Sequence, residues 1–487
     1  MHTSGSVAAV DLGATSGRVI VGHVDADGVR MEPVARFPNG PVALHEGTRR
    51  GLHWDVVELY RQVSVGLRDA FGRYPAIASV GIDSWAVDYG LLRDGRLLGL
   101  PYHYRDDRHA RGVDVVHERV PSDELYHRNG LQHLPFNTGF QLAVDPDVRL
   151  ADRALLVPDL LGYWLTGVEA TERTNASTTG LVDATTRGWD PVLLAASGLP
   201  SDLLPALRDP GDRLGPLLAG LGADAPVTLV GSHDTASAVV AVPATGPDFA
   251  YISSGTWSLV GVELDAPVLT DAARAANCTN EGGVDGRVRF LKNVSGLWLL
   301  SESVRTWEQG GDRIDLEALL AAAAAVTAPV PVFDVADESF TPPGDMPARI
   351  AAWCHAHGLS APATRAEFVR SILESLALAY ASTLTTIAEV TGKDVRVVHV
   401  VGGGSQNRLL CQLTADRTGL PVLAGPVEAT ALGNVLVQAR TAGLAGLGGA
   451  SLEALRSTVA RTVEPVRYTP SASSRAASDR PTVRSHA

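Results

Sequence analysis

Residues 7–25 read VAAVDLGATSGRVIVGHVD, two runs of small and β-branched residues joined by a turn of Gly, Thr and Ser. Strand, hydroxyl-rich turn, strand is a hairpin signature. Such a turn exposes backbone N–H groups and hydroxyls with no bulky side chain in front of them, which suits it to an anion such as phosphate. Residues 250–265, AYISSGTWSLVGVELD, repeat the device, and each copy heads about half of the chain. Two copies point to a duplicated domain with a nucleotide held between the halves. No GxxxxGK segment occurs, so a P-loop is not the explanation.

With 487 residues the chain has room for two domains of ordinary size. Its 45% hydrophobic and 20% charged residues are those of a soluble globular protein. A net charge of −13 argues against a nucleic-acid partner, which asks for a basic face. Cys278, Cys354 and Cys411 are few and far apart, so neither a disulfide framework nor a zinc ribbon is expected, and a reducing compartment fits. The start MHTSGSVAAVDLG lacks a basic segment followed by a long apolar run, and the longest small or apolar stretch, residues 318–326, is far below a membrane span. The expectation is a cytoplasmic protein with no membrane partner. The sequons at Asn175 and Asn293 then carry no glycan.

Working outward, residues 7–37 alternate as a three-stranded meander. Val56, Leu59, Tyr60, Val63 and Leu67 share one face of a helix over residues 54–70, with Asp55 as its N-cap. Residues 78–92 read as one short strand, 158–165 as a helix, and 172–183 as a polar loop. Residues 226–242 give strand, polar turn and small-residue helix; the PATGPD segment after them, residues 243–248, marks a domain boundary. The second half repeats the plan with a hairpin at 251–262, a long helix over 364–390, a strand and helix over 395–418, the strand PVLAGP and a helix over 429–442. Residues 471–487 read as a disordered tail.

Four groups of residues carry chemistry. DLGATSGR, residues 11–18, offers Asp11 as a magnesium anchor through water, Thr15 and Ser16 as phosphate donors and Arg18 as a positive charge; the lesser alternative is a hairpin turn with a surface arginine. SSGTWS, residues 253–258, repeats the offer with Gly255 and Thr256. VVGGGSQN, residues 400–407, feeds three glycines into a helix, an arrangement for a base or ribose or a packing turn. GSHDTAS, residues 231–237, sets His233, Asp234 and Thr235 at a strand-to-helix junction, where Asp234 is either a hydrogen-bond acceptor for a substrate hydroxyl or simply the N-cap. Further patches hold Trp85, then Asn137, Thr138 and Gln141, then Glu281, Lys292 and Asn293: amides, carboxylates and an aromatic face, as a polyhydroxylated ligand demands. The CHAH run at residues 354–357 has no partner cluster and reads as surface.

DLGATSGR, GIDSWAVD, YRDDR, PFNT, TNASTTGLVD, GSHDTASAV, YISSGTWSL, NEGG, LKNVSGLWLL, VVGGGSQN and AGPVEATALGN run collinearly over residues 7–468. On these segments the chain resembles the FGGY family of carbohydrate kinases, within the group that shares the fold of actin, hexokinase and the heat-shock-70 ATPase. Inside the family it is most similar to the branch acting on L-rhamnulose in L-rhamnose catabolism.

The resemblance implies an α/β chain of two ribonuclease-H-like domains, each a mixed sheet flanked by helices, with a cleft between them. Residues 1–243 would bind mainly sugar, 244–468 mainly ATP, and 469–487 would form the tail. It further implies transfer of the γ-phosphoryl group of Mg-ATP to the 1-hydroxyl of L-rhamnulose. Ala14, Thr15, Ser16, Gly17 and Arg18 would be the first phosphate segment; Gly255, Thr256, Gly403 and Asn407 would meet ATP. Trp85, Ala86, Asn137, His233, Asp234, Thr235 and Asn293 would meet the sugar, with Asp234 as the proton acceptor.

Two positions depart from the family: Ala86 stands where a glycine follows the tryptophan, and Ser301 where a glutamine meets nucleotide. A methyl at Ala86 crowds a backbone contact to sugar, which bears on substrate choice more than on chemistry. L-Fuculose and L-xylulose are the neighbouring substrates. A non-catalytic ATPase of the same fold is the rival from another class; a chaperone ATPase would need a peptide-binding domain, for which no residues remain.

Overall fold

The computed structural model describes residues 4–471, and in it the opening meander is three antiparallel strands, β1 (Gly5–Leu12), β2 (Ser16–Asp25) and β3 (Gly28–Pro38). β4 (Ile77–Ser84) lies parallel to β1 with Asp83 opposite Asp11. With β5 (Arg213–Pro216) and β6 (Pro226–Thr228) they form a mixed sheet in the order β5, β6, β4, β1, β2, β3. β1 is buried without a break from Val7 to Leu12, because the sheet is covered on both faces.

One cover is the helix Val56–Arg73, capped as expected by Asp55, whose carboxylate accepts from the Glu58 N–H. It buries Val56, Leu59, Val63 and Leu67 in the same cluster as Val10, Val19 and Val80. Burial contributes about 1.5–3 kcal/mol for each such side chain against about 1 kcal/mol for the cap, so packing holds the helix and the cap sets its start. The other cover is the helix Ala429–Ala442, where Gly22 leaves room for Val435; a Cβ on Gly22 would sit 2.4 Å from it.

The expected strand over residues 78–92 is two. The chain leaves the sheet after Ser84, where the Ser84 N–H donates to the Ser232 carbonyl and the Trp85 N–H to that of Leu12. It turns at Val87, which holds φ at 68°, and then pairs Tyr89–Arg93 with Arg153–Leu156 in a separate small sheet. A β-branched residue in the left-handed region is strained by roughly 1–3 kcal/mol. The expected loop at residues 172–183 is also corrected: Glu172, Thr174 and Asn175 are fully buried, and Arg173–Ala176 is a helical turn.

Contacts gather the chain into two compact units. The first takes the chain up to Thr245 together with Glu263–Leu291 and Glu428–Val463; the second takes Gly246–Val262, Lys292–Val427 and the chain from Glu464. In the second unit β7 (Phe249–Ser254) pairs antiparallel with β8 (Trp257–Leu264) and parallel with β9 (Val397–Val401). β10 (Val422–Ala424) and β11 (Val466–Tyr468) extend the sheet beyond β9.

The long helix of this unit, Arg365–Thr391, starts with a capping box between Thr364 and Glu367 and stops at Gly392 in the left-handed region. It is the one described helix long and apolar enough to cross a membrane by length and composition, and most of that window is buried. Tyr380 from this helix is 2.6 Å from the Ser258 hydroxyl on β8. All three cysteines are free and buried, so Cys354 is not surface, although His355 and His357 beside it are exposed. Of the expected tail at 469–487, residues 472–487 lie outside the described residues, while Thr469 and Ser471 bond to the helix Arg408–Thr418 through Gln412 and Asp416.

Candidate active site

Three carboxylates of the first unit come from three strand ends. Asp11 closes β1, Asp83 faces it from β4, and Asp234 follows β6 as the first residue of the helix Asp234–Val240. Arg18 donates to Asp11 at 2.7 Å and also pairs with Glu428. Burial pushes Asp11 up to about 6 against the pull of Arg18, with Asp234 and Glu428 adding to the rise. Asp83 has no exposure; burial first and the Asp11 charge second drive it well above the carboxylate range. Its Oδ2 accepts from Asn434 at 2.6 Å, while its Oδ1 has no hydrogen-bond partner among the described residues.

Between β1 and β2 the turn is held from below: Asn39 donates to the Gly13 carbonyl, and its N–H donates to that of Thr15. Thr15 stays exposed, and Ala14, Ser16 and Arg18 are half-buried. Gly17 is buried under Phe37, which a Cβ would meet at 2.2 Å, so this glycine serves packing.

Asp234 is not the N-cap. His233 holds that position and makes no side-chain capping bond. The Asp234 carboxylate instead takes the Thr235 hydroxyl at 3.2 Å, lies 3.4 Å from His233 Nε2, and is about a third exposed. Beneath this turn sits Glu172, whose two oxygens accept from the Thr174 N–H and hydroxyl, the Asn175 N–H, and the Ser232 N–H and hydroxyl. Five donors on one buried carboxylate fix the residues that carry His233 and Asp234. His233 Nδ1 in turn meets Arg289 at 2.9 Å and Glu281 at 3.3 Å, and Arg289 meets Glu281 at 3.0 Å.

Trp85 is buried and stacked on Trp54 with ring centroids 4.0 Å apart. Both indole N–H groups donate to Asp88 Oδ2, at 3.1 Å from Trp85 and 2.6 Å from Trp54, and the Gln141 amide donates to Asp88 Oδ1 at 3.1 Å. Burial pushes Asp88 up to about 6 against those bonds. Ala86 packs half-buried against this core, and the Val87 carbonyl accepts from the Thr138 hydroxyl at 2.7 Å. Asn137 goes elsewhere: it donates to the Gln132 carbonyl and lines a cavity of about 410 Å³ with His133, Phe140 and Arg274. None of Asp11, Asp83, His233, Asp234 or Thr235 lines that cavity.

In the second unit the β7–β8 turn is the counterpart of the first. Gly255 is exposed, its N–H donates to the Trp257 carbonyl, and its own carbonyl accepts from Leu297; the Thr256 carbonyl accepts from Trp298. The three glycines after β9 divide their work. Gly402 adopts φ of 82°, Gly404 lies where a Cβ would meet Ser254 Oγ at 2.0 Å, and Gly403 is exposed with open space before it. Asn407 commits its Oδ1 to capping the helix Arg408–Thr418 through the Leu410 N–H. Asn293 is half-buried on the strand Val288–Ser295, and Ser301 is exposed on the helix Trp298–Gln309.

Sequence reading passed over Glu172, Arg289, Asn434 and Gln438. Arg289 left a signal, a charged residue inside the apolar run VRFL; so did Asn434 and Gln438, two amides one turn apart on a helix of small and apolar residues.

Comparison with known proteins adds an independent line. The models of the FGGY family of carbohydrate kinases match here, the N-terminal domain over residues 6–241 and the C-terminal domain over residues 250–442. The chain is 42% identical over 474 residues to a rhamnulokinase of Bacteroides thetaiotaomicron, covering 95% of each protein. It is 42% identical over 480 residues to a rhamnulokinase of Pectobacterium carotovorum subsp. carotovorum, covering 96% of this chain and 94% of that one. Among solved structures it is similar to xylulose kinase from Rhodospirillum rubrum, with a TM-score of 0.74 at 19% identity over 96% of this chain and 95% of the other; that likeness speaks to the fold.

Proposed function

Because the chain belongs to the FGGY family of carbohydrate kinases, we propose that it transfers the γ-phosphoryl group of ATP to the 1-hydroxyl of L-rhamnulose, giving L-rhamnulose 1-phosphate and ADP. The similarity to two rhamnulokinases along nearly the whole chain supports the choice of sugar. The observation that carries the chemistry is the Asp234 carboxylate, accessible and free of any capping duty on a turn fixed by Glu172. In a helix start built this way the acid is available to a substrate hydroxyl.

Asp234 accepts the proton of the attacking hydroxyl as the new P–O bond forms; a carboxylate is too weak a base to remove it earlier. His233, Thr235, Trp85, Ala86 and Asn293 are assigned to the sugar; Asn137, expected with them, turns instead to the Gln132 carbonyl on the wall of the separate cavity. The Ala14 to Arg18 turn is assigned to phosphate, Gly255 and Thr256 to the outer phosphates, and Gly403 and Asn407 to the rest of the nucleotide. Residues 1–243 thus serve mainly the sugar and 244–468 mainly ATP. Positioning and charge neutralisation do most of the catalysis in phosphoryl transfer.

Magnesium supplies part of that neutralisation when bound to the phosphates. The residues fit a hard cation, which takes oxygen ligands: Asp11 stands at the strand end, and the buried Asp83 Oδ1 beside it lacks a hydrogen-bond donor among the described residues. Asp11 would hold the ion through water. We assign the protein to the cytoplasm, in keeping with its three buried free cysteines.

The test is ATP-dependent phosphorylation across L-rhamnulose, L-fuculose, L-xylulose and D-xylulose, with the product's phosphate placed by NMR. L-Rhamnulose is expected to give the highest kcat/KM, with phosphate on C1. A higher value for another ketose would move the substrate, the reading that the methyl of Ala86 favours, and no phosphorylation of any sugar would sink the proposal.

A further inference from the structure

Arg289 is a fully buried cation near Asp234. It has no exposure, on the strand Val288–Ser295, among Val288, Phe290 and Leu291, which are themselves buried. Exchanging Arg289 and Glu281 together for well-packed apolar residues would cost the fold little, so their ion pair is weak evidence of a purely structural role. Its bonds point to what it does. Nε donates to the Gly282 carbonyl at 2.9 Å and Nη2 reaches Glu281 at 3.0 Å, which together fix the guanidinium plane. The same Nη2 lies 2.9 Å from His233 Nδ1.

A guanidinium is always protonated and has no acceptor. The contact between Arg289 and His233 therefore has one polarity, Arg289 donating and Nδ1 accepting at 2.9 Å, while the Glu281 carboxylate, 3.3 Å from the same nitrogen, is the longer, competing acceptor. A neutral imidazole that accepts at Nδ1 carries its proton on Nε2, and Nε2 is the nitrogen 3.4 Å from Asp234 Oδ1. The backbone N–H of His233 is held as well, by Thr174 Oγ1, so the ring cannot escape by moving the turn.

We infer that Arg289 is a positioning residue that locks His233 in the Nε2–H tautomer, so that His233 presents a hydrogen-bond donor beside Asp234 to an oxygen of the sugar. The role in sugar binding rests on the function proposed above; the tautomer does not. With Glu281 the three residues form a relay in which Glu281 neutralises the guanidinium, the guanidinium sets the ring, and the ring faces the reacting hydroxyl.

The experiment is long-range ¹⁵N–¹H correlation on the full-length protein labelled at histidine, without substrate, the His233 signals being assigned from their loss in His233→Gln. The expected pattern is an unprotonated Nδ1 and a protonated Nε2. A ring protonated on Nδ1, alone or together with Nε2, would overturn the inference without any variant having to fold. Glu281→Gln leaves the guanidinium donor in place and is expected to keep the pattern; a switch to Nδ1–H would give the control to Glu281 and overturn it too. Arg289→Lys is expected to lose the single pattern and to lower kcat/KM for the sugar about tenfold or more, with KM for ATP within about twofold. An Arg289→Lys protein with the wild-type pattern and wild-type kcat/KM counts against the inference. Failure of the wild-type protein to phosphorylate any ketose would remove the proposed function while leaving the tautomer result standing.

Discussion

Asn434 donates its side-chain N–H to Asp83 at 2.6 Å, joining residues 351 positions apart. One turn on, Gln438 donates to Asn434 Oδ1 at 2.6 Å and to the Ala8 carbonyl at 3.0 Å, and accepts from Ser79 at 2.7 Å. Each amide is thus oriented by the next, and the last is anchored on β1. The buried carboxylate opposite Asp11 keeps its single donor only because this chain of amides is complete.

Gly81 is where that arrangement is most easily tested. A Cβ there would lie 2.5 Å from Asn434 Oδ1 and 2.7 Å from Gln438 Nε2. Gly81→Ala is expected to destabilise the protein by about 1–3 kcal/mol, the usual cost of overpacking. Urea denaturation checks it; an unchanged midpoint would mean the amides yield without loss.

Asp234→Asn should separate chemistry from folding. His233 occupies the capping position, so the substitution removes no cap and the melting temperature is expected to stay at the wild-type value. Loss of the proton acceptor is expected to lower kcat by about 10² to 10⁴. Calorimetric binding of Mg-ATP and sugar should persist. Wild-type kcat in a folded variant would pass the role to Asp11.

Thr256→Val tests the β7–β8 turn. The threonine backbone is already fixed by Trp298, so the change removes a hydroxyl from a half-buried position without unfolding the turn. KM for ATP is expected to rise several-fold, on the order of one hydrogen bond to a charged group, with sugar affinity unchanged. Equal losses for both ligands in binding measurements would refute the assignment.

Asp88 gives a pH dependence of defined sign. Its carboxyl is raised by burial from 3.8 to about 6, so its contribution to stability is complete below about pH 4 and is lost as pH rises through about 6. Asp88→Asn does not titrate. The difference in unfolding free energy between wild type and variant is therefore expected to move in the variant's favour by on the order of 3 kcal/mol from about pH 4 to about pH 7. A difference that stays constant across that range would show that the carboxyl is not shifted.

Local chemistry made much of this fold readable. Asp55 and the Thr364–Glu367 box announce helix starts, and both hairpins follow from β-branched runs around Gly-rich turns. The turns that carry the candidate residues Arg18, Asp234 and Gly403 were legible for the same reason. What escaped depends on contacts distant in sequence. Val87 looks like any strand valine until Thr138, fifty-one positions on, holds its carbonyl in the turned position. Asn137 reads as a ligand amide, yet its side chain answers to Gln132 on the wall of a separate cavity. Gly17 reads as a phosphate glycine, and the need for glycine there also comes from Phe37, which packs against its Cα.

The discontinuity of the first unit has a consequence for biosynthesis. Its sheet is complete once β6 has left the ribosome, but the helix Ala429–Ala442 that packs on β1 is made about two hundred residues later. At about 5–20 residues per second the nascent sheet waits roughly 10–40 s with that apolar face bare. During that interval Asp83 lacks Asn434 and the Ala8 carbonyl lacks Gln438. Asp83 therefore acquires its amide donor late in translation, and a chaperone that shields apolar strands has its longest opportunity while the second unit is being made.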